Sequence, residues 1–157
     1  SRDLEHINWA VLWMVAGGFA LGTALNQTGL ASALIENIPF TSWSALIVMI
    51  VGGLICYFLS NFISNSAAAN LVVPILVVVG TAMNGNPDFE SLGGLPAMII
   101  GIAIAASVAM CLPVSTPPNA LAHSTGMITT KQMATMGIIL GVIGLALGYA
   151  MLIFVGF

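Results

Sequence analysis

Two short polar segments, each inside a strongly apolar run, contain the residues of this chain that could do chemistry. The first polar segment is residues 60–70, which read Ser-Asn-Phe-Ile-Ser-Asn-Ser-Ala-Ala-Ala-Asn. The second is residues 112–119, which read Leu-Pro-Val-Ser-Thr-Pro-Pro-Asn. Their hydroxyl groups, amides and backbone carbonyls can coordinate a small cation or donate to an anion. We expect the two segments to meet and form one binding site near the middle of a bilayer.

The composition indicates a membrane protein. Of the 157 residues, 59% are hydrophobic and only 4% are charged, whereas a soluble domain carries about 25% charged residues. With about 20 apolar residues per crossing, the chain has room for about five membrane segments. The predicted fold class is an all-α polytopic membrane protein whose main partner is the lipid bilayer. No basic cluster suits nucleic acid.

The apolar runs and turn residues divide the chain into five parts. They are a first span with an interfacial helix (1–42), a hairpin whose tip is Ser-Asn-Ser (43–83), an aqueous loop (84–94), a discontinuous helix (95–128) and a final transmembrane helix (129–157). If the hairpin is re-entrant, Arg2 and Lys131 lie on one face of the membrane. The positive-inside rule then predicts a cytoplasmic N-terminus and an external C-terminus.

The second polar segment must interrupt its helix, because Pro117 and Pro118 have no amide hydrogen and clash with the preceding turn. Together with Pro113 they free backbone carbonyl oxygens, which suit a hard monovalent cation; these belong to Ala109, Pro113 and Val114. Beyond the break, Ser115 or Thr116 can cap a new helix. In the first segment, the capping candidates are Ser64, Asn65 and Ser66.

Each break therefore joins a helix C-terminus, which carries partial negative charge, to a helix N-terminus, which carries partial positive charge. The N-termini with their hydroxyls form an anion site, and the carbonyl ends with the Asn side chains, Asn119 among them, form a cation site. No Arg or Lys lies in an apolar run, so a bound anion needs a co-bound cation. Discontinuous helices that meet at the midplane are typical of secondary transporters.

Two other interpretations stay open from the residues alone. The Ser-Asn-Ser tip could be a turn between two full-length spans, since residues 43–63 are long enough to cross unaided. His123 could serve as a catalytic base beside Ser115 or Ser124, as in an intramembrane serine protease. The sequence contains no nucleophile-elbow motif, so we predict that the chain is not an enzyme.

At these residues the sequence resembles the divalent anion/sodium symporter family, which transports dicarboxylates, citrate and sulfate. That family has a Ser-Asn-Thr motif at each of two hairpin tips and a Leu-Pro-x-x-Thr-Pro-Pro-Asn-Ala segment in a broken helix. The corresponding residues here are 64–66, Ser-Asn-Ser, and 112–120, Leu-Pro-Val-Ser-Thr-Pro-Pro-Asn-Ala. The resemblance implies the C-terminal half of an inverted-repeat, elevator-type transporter in the plasma (inner) membrane, with residues 1–42 scaffold-like.

The resemblance also implies a function, site residues and partners. The function is sodium-coupled uptake of a divalent anion, such as succinate, citrate or sulfate. Substrate would contact Ser64, Asn65, Ser66, Thr116 and Pro117. Sodium would be held by Ser60, Ile63, Asn65, Ser115 and Pro117, with Asn119 as a further candidate. The implied partners are an N-terminal repeat, on this chain or another, and a second copy in a homodimer.

Three alternative functions accompany this interpretation. A sodium/proton antiporter or a metal-oxyanion carrier of related architecture would share the broken-helix design. A non-transporting membrane subunit would use the polar segments for helix packing alone. The replacement of the family's Thr by Ser66 keeps the hydroxyl and removes a methyl group, so we expect binding to persist with altered selectivity.

Overall fold

The computed structural model describes residues 43–155 without interruption, together with isolated positions between 13 and 33. The predicted first span (7–26) and interfacial helix (29–37) therefore lie almost entirely outside the described residues. Within 43–155 there are six helices and no strand. The helices are α1 (Ala45–Phe62), α2 (Asn65–Ala82), α3 (Pro87–Ser91), α4 (Gly94–Ser107), α5 (Pro117–Ser124) and α6 (Thr130–Val155).

Three of these helices are long and apolar enough to cross a bilayer. In α1 and α2, 18 residues each give a length of about 27 Å, and α6 has 26 residues. Many large apolar side chains on α1 and α6 are exposed, Leu54, Ile139 and Leu147 among them. Such faces suit lipid rather than water, which confirms the prediction of an all-helical membrane protein.

Helix α4 lies at the centre of the described bundle. It packs against α1, α2 and α6, and α1 also packs against α2. Most of the core residues come from α1, α2 and α4; they include Val48, Met49, Cys56, Val72, Val79, Met98 and Ile102. The two polar segments are thus attached to helices that already touch one another.

Glycines on α6 let that helix approach its neighbours closely. A Cβ atom at Gly144 would lie 2.9 Å from Val108 Cγ1, and one at Gly148 would lie 2.5 Å from Ile104 Cγ2. At Gly141 the neighbour is the Tyr57 hydroxyl. At Gly137 the neighbours are backbone atoms of residues 110 and 111, just before the second polar segment. The small-residue spacing of α6 therefore serves packing within the chain.

Helix α4 ends well before the prolines of the second polar segment. The sequence predicted a discontinuous helix over 95–128, and in the structure α4 ends at Ser107 and the chain becomes helical again at Pro117. Two effects explain the early end. Proline disfavours helical backbone in the residue before it and clashes with the preceding turn. In addition, the amide of Cys111 bonds to a side chain on α1 instead of a carbonyl of its own helix.

The connection between α2 and α4 contains the short helix α3. Asn86 caps α3, and its side-chain oxygen accepts a hydrogen bond of 2.9 Å from the Asp88 amide. Phe89 is fully buried, whereas Asp88 and Glu90 are exposed. The predicted aqueous loop therefore contains one short helix whose apolar side chain anchors it to the core.

Candidate functional site

The buried polar side chains of the described residues identify the site. There are three of them: Ser60 is fully buried, Asn61 is 6% exposed and Ser115 is 1% exposed. Two lie in the first polar segment and the third in the second. Burying polar groups away from water is costly unless they are hydrogen-bonded, so their concentration at these two segments requires a structural or functional reason.

Hydrogen bonds join the first polar segment to the region around the second. The single hydroxyl proton of Ser60 is shared between two acceptors, the Ala106 carbonyl at the end of α4 (3.1 Å) and Asn65 Oδ1 (2.7 Å). The side-chain oxygen of Asn61 accepts from the Cys111 amide at 2.8 Å. The end of α1 is therefore attached to both sides of the point where α4 stops. No described hydrogen bond runs directly between residues 64–66 and 115–117.

Both polar segments contain a capped helix N-terminus. Ser64 caps α2, and its hydroxyl oxygen accepts from the Ala67 amide at 3.2 Å. Thr116 caps α5, and its hydroxyl oxygen accepts from the Asn119 amide at 3.3 Å. In each case proline or small residues follow, which suits a first helical turn. Each polar segment thus supplies the partial positive charge of a helix N-terminus.

The hydroxyl groups of the site fall into two sets by their hydrogen-bond roles. Ser64 and Thr116 accept from backbone amides, and neither donates a hydrogen bond among the described residues. Ser60 and Ser115 instead donate to carbonyl or amide oxygens. A hydroxyl whose proton is free can donate to an anion. One whose proton is engaged presents its lone pairs, which suit a cation.

The second break is held open by Asn119 and Ser115. The Asn119 side-chain amide donates to the Met110 carbonyl at 2.9 Å, and it also lies 3.4 Å from Ser115 Oγ. Ser115 Oγ donates to the Leu112 carbonyl at 2.7 Å. No described hydrogen bond reaches the carbonyl oxygens of three residues in this stretch, which are Ala109, Pro113 and Val114. These are the oxygens that the sequence predicted to be free.

The remaining predicted site residues are more accessible. Asn65 and Asn119 are half-buried, whereas Ile63, Ser66 and Pro117 are exposed. Within the described part of the chain, no group of three or more His, Cys, Asp or Glu side chains could hold a metal ion. Any cation held here would therefore depend on carbonyl, hydroxyl and amide oxygens, a donor set that suits hard cations.

His123 and Lys131 lie beside the site rather than in it. His123 Nε2 is 3.0 Å from the Thr130 hydroxyl, and neither Ser115 nor Ser124 is its hydrogen-bond partner. Lys131 lines an open groove of about 700 Å³ between α5 and α6, whose wall also includes Asn119. The base–nucleophile pair needed by the protease interpretation does not form.

Sequence reasoning missed Asn61, although it lies in the first polar segment. Its side-chain amide donates to the Tyr57 carbonyl at 2.9 Å while its oxygen accepts from Cys111. The signal was present as a carboxamide in the last turn of an otherwise apolar helix. Its partner could not be inferred, since Cys111 is 50 residues away in sequence.

Comparison with known proteins follows the same residues. A family model described as "Sodium:sulfate symporter transmembrane region" matches residues 4–156. A sodium-dependent dicarboxylate transporter, SdcS, of Staphylococcus saprophyticus is 35% identical over 138 residues, covering 87% of this chain and 24% of the relative.

Two further relatives agree in extent. The Drosophila melanogaster protein I'm not dead yet is 35% identical over 84% of this chain and 21% of its own length. An uncharacterized transporter of Haemophilus influenzae is 36% identical over 88% of this chain and 29% of its own length. The chain thus spans about a quarter of the length of these relatives. The match across residues 4–156 confirms the family resemblance: this chain belongs to the sodium:sulfate symporter family, a family of membrane transporters rather than enzymes.

Proposed function

We propose that this chain is part of the C-terminal half of a sodium-coupled divalent anion transporter, with a dicarboxylate such as succinate as the favoured substrate class. Family membership supports sodium-coupled anion transport, and the relatives named for a substrate are sodium-dependent dicarboxylate transporters. The chain's span of about a quarter of those relatives supports a further N-terminal repeat in the working protein. Citrate and sulfate are the competing substrates.

The observation that carries the proposal is the division of hydroxyl roles at the two breaks. Ser64 and Thr116 keep a free O–H at a capped helix N-terminus, so they act on the anion together with Asn65, Ser66 and Pro117. Helix N-termini and hydroxyl donors stabilise bound carboxylate or sulfate without a formal positive charge.

Sodium occupies the oxygen-rich side of the same site. Ser60 and Ser115 present lone pairs because their protons are engaged. Backbone oxygens of Ile63 and Pro117 and the Asn65 side chain complete the proposed ligand set, with Asn119 alongside. Sodium bound next to the anion supplies the charge that no Arg or Lys in the apolar runs provides, which couples the two ligands.

The transport movement is part of the same proposal. Helices α1 and α2 form a re-entrant hairpin whose Ser-Asn-Ser tip reaches the midplane, where irregular backbone is tolerated if it is buried in protein or lines a water-filled cavity. The hairpin, the broken helix and α6 move together as one elevator-like unit against residues 1–42 and the rest of the scaffold. The working protein is a homodimer in the plasma membrane, with the N-terminus of this segment cytoplasmic and its C-terminus external.

Reconstituted transport tests the function. The protein, with any N-terminal repeat that belongs to it, is placed in liposomes, and uptake of labelled succinate, citrate and sulfate is measured under an inward sodium gradient. We expect succinate uptake that disappears when choline or potassium replaces sodium. Equal uptake in choline would refute sodium coupling, and proton movement without an organic anion would favour the antiporter alternative.

The variant Asn65→Ala tests the site within that assay. The Asn65 side chain accepts from Ser60 and lies at the α2 N-terminus, so we expect its loss to abolish uptake while the protein still accumulates in the membrane. Asn84→Ala is the matched control, because Asn84 is exposed in the loop before α3. Wild-type kinetics in Asn65→Ala would remove this residue from the site.

A further inference from the structure

Asn61 is a buried polar residue for which the proposed ligand sets have no role. Its side chain is 6% exposed, and both ends of the carboxamide are engaged: the amide donates to the Tyr57 carbonyl at 2.9 Å, and the oxygen accepts from the Cys111 amide at 2.8 Å. A carboxamide with both ends bonded to backbone is poorly placed to coordinate an ion directly. Its effect must pass through the groups that it holds.

The group that Asn61 holds is the start of the second break. After α4 ends at Ser107, the amides of Val108 and Ala109 still bond to carbonyls within the last turn, whereas the Cys111 amide bonds to Asn61. Without that acceptor, a buried backbone N–H would be left unpaired, which costs more than an average hydrogen bond contributes. The course of the chain between α4 and α5 therefore depends on one side chain of α1.

The neighbouring residue Ser60 attaches α1 to the same region at a second point. Ser60 Oγ donates to the Ala106 carbonyl at 3.1 Å, so residues 60 and 61 hold one acceptor and one donor on either side of the α4 end. Two attachment points fix the orientation of the α1 end relative to the α4 end as well as the distance between them. These two bonds link the first polar segment to the stretch of chain that leads into the second.

Packing from α6 restricts the Cys111 backbone on one side. A Cβ atom at Gly137 would lie 2.6 Å from Cys111 Cα, so the α6 backbone already abuts this stretch. The Tyr57 hydroxyl lies 3.5 Å from Cys111 Sγ. A shift of Cys111 toward α6 would meet backbone, so we expect loss of Asn61 to move the break away from α6.

We propose that Asn61 is a positioning residue for the sodium site: it sets the spacing between the oxygens at the end of α1 and those of the second break. This inference rests on the proposed function, because it takes Ser60 and Ser115 to be sodium ligands on opposite sides of that spacing. A cation needs ligands from both sides at fixed distances, so its affinity depends on the spacing more steeply than the affinity of a larger, hydroxyl-bound anion.

Two substitutions at position 61 separate positioning from general stability. Asn61→Leu is nearly isosteric and removes the acceptor for the Cys111 amide. Asn61→Asp keeps an acceptor there and loses only the donor to Tyr57. We expect the half-saturating sodium concentration for succinate uptake to rise about tenfold in Asn61→Leu, the size expected for leaving one buried amide unpaired. In Asn61→Asp it stays within about twofold of wild type or falls, because an added negative charge favours a cation.

The control is a variant of similar destabilisation away from the site. Phe89 is fully buried in α3, at the loop between α2 and α4, so Phe89→Leu lowers the thermal midpoint without touching either break. The succinate KM at saturating sodium is measured in all four proteins. The inference is supported if the fold rise in half-saturating sodium concentration in Asn61→Leu exceeds both the fold change in its succinate KM and the fold rise in sodium concentration in Phe89→Leu.

Three results overturn the inference. The first is an unchanged half-saturating sodium concentration in Asn61→Leu. The second is a rise in that concentration no larger than the rise in Phe89→Leu, when the two variants have equal thermal midpoints. The third is a tenfold rise in the half-saturating sodium concentration in well-folded Asn61→Asp. This third measurement remains decisive if Asn61→Leu does not accumulate in the membrane. In each case sodium-dependent wild-type uptake leaves the proposed function intact. Wild-type uptake without sodium dependence refutes the proposed function and this inference with it.

Discussion

Gly137→Ala gives the strictest test of how α6 is placed against the second break. An added Cβ would lie 2.6 Å from both Cys111 Cα and the Met110 carbonyl oxygen, and 2.9 Å from the Cys111 amide nitrogen. These are backbone atoms, so no side-chain rotation can relieve the clash. Ordinary contact begins near 3.4 Å, which means that α6 and the break must separate by about 0.8 Å, and overpacking of this kind costs about 1–3 kcal/mol.

Gly144→Ala provides the matched control on the same helix. There the nearest atom is Val108 Cγ1 at 2.9 Å, a side-chain atom, and the next is Val108 Cβ at 3.3 Å. We expect its cost to be under half that of Gly137→Ala. The measurement is the thermal midpoint of each purified variant in lipid nanodiscs, with sodium-dependent uptake recorded alongside.

The two readouts together decide the point. We expect Gly137→Ala to lower the thermal midpoint and to weaken sodium-dependent uptake, because the displaced residues adjoin Ser115 and Thr116. Equal midpoints for Gly137→Ala and Gly144→Ala would show that α6 does not abut the break as described. Ala is a better helix former than Gly, so Gly137→Ala would stabilise the protein if no clash opposed it. A higher thermal midpoint for this variant would therefore refute the packing argument.

Two further predictions concern hydroxyl groups. Ser60→Ala should raise the half-saturating sodium concentration about tenfold with little change in anion KM, whereas Thr116→Val should raise anion KM about tenfold at saturating sodium. A tenfold change corresponds to a lost interaction of about 1.4 kcal/mol. Uptake titrations check both, and identical effects of the two variants would contradict the division of hydroxyl roles. Tyr149→Phe removes a buried hydrogen bond of 3.0 Å to the Met49 carbonyl and should cost about 1 kcal/mol in thermal unfolding. Tyr57→Phe should cost less, because sulfur is a weak hydrogen-bond partner and the Tyr57 hydroxyl lies 3.5 Å from Cys111 Sγ.

The sequence alone was sufficient to predict the membrane class and the positions of the two helix breaks. Low charge content forces burial in lipid, and Pro117 with Pro118 cannot continue a helix. Both breaks occur where these rules predict them, with Ser64 and Thr116 as the N-caps. These features are local: each depends on residues within one or two helical turns, and such features are readable without knowing the fold.

The features that could not be predicted depend on contacts distant in sequence. The end of α4 at Ser107 depends partly on a bond between Cys111 and Asn61, 50 residues earlier. The sequence does not identify the packing partners of the α6 glycines, because glycine is enriched in membrane helices generally as well as at helix contacts. Gly137 and Gly148 acquire a packing role only because α4 and the chain after it lie alongside.

In the proposed function, the hydrogen-bond roles of the hydroxyl groups allow a site with so little charge to serve two ions. A hydroxyl has one proton, so a helix cap that uses its oxygen leaves the proton for an anion, and a hydroxyl that donates to a carbonyl leaves lone pairs for a cation. Ser64 and Thr116 are in the first condition, and Ser60 and Ser115 are in the second. The two conditions alternate along each polar segment, at 60 then 64 and at 115 then 116. In the proposed function, each segment therefore presents one hydroxyl to the cation and one to the anion, and the attraction between the two bound ions couples their binding.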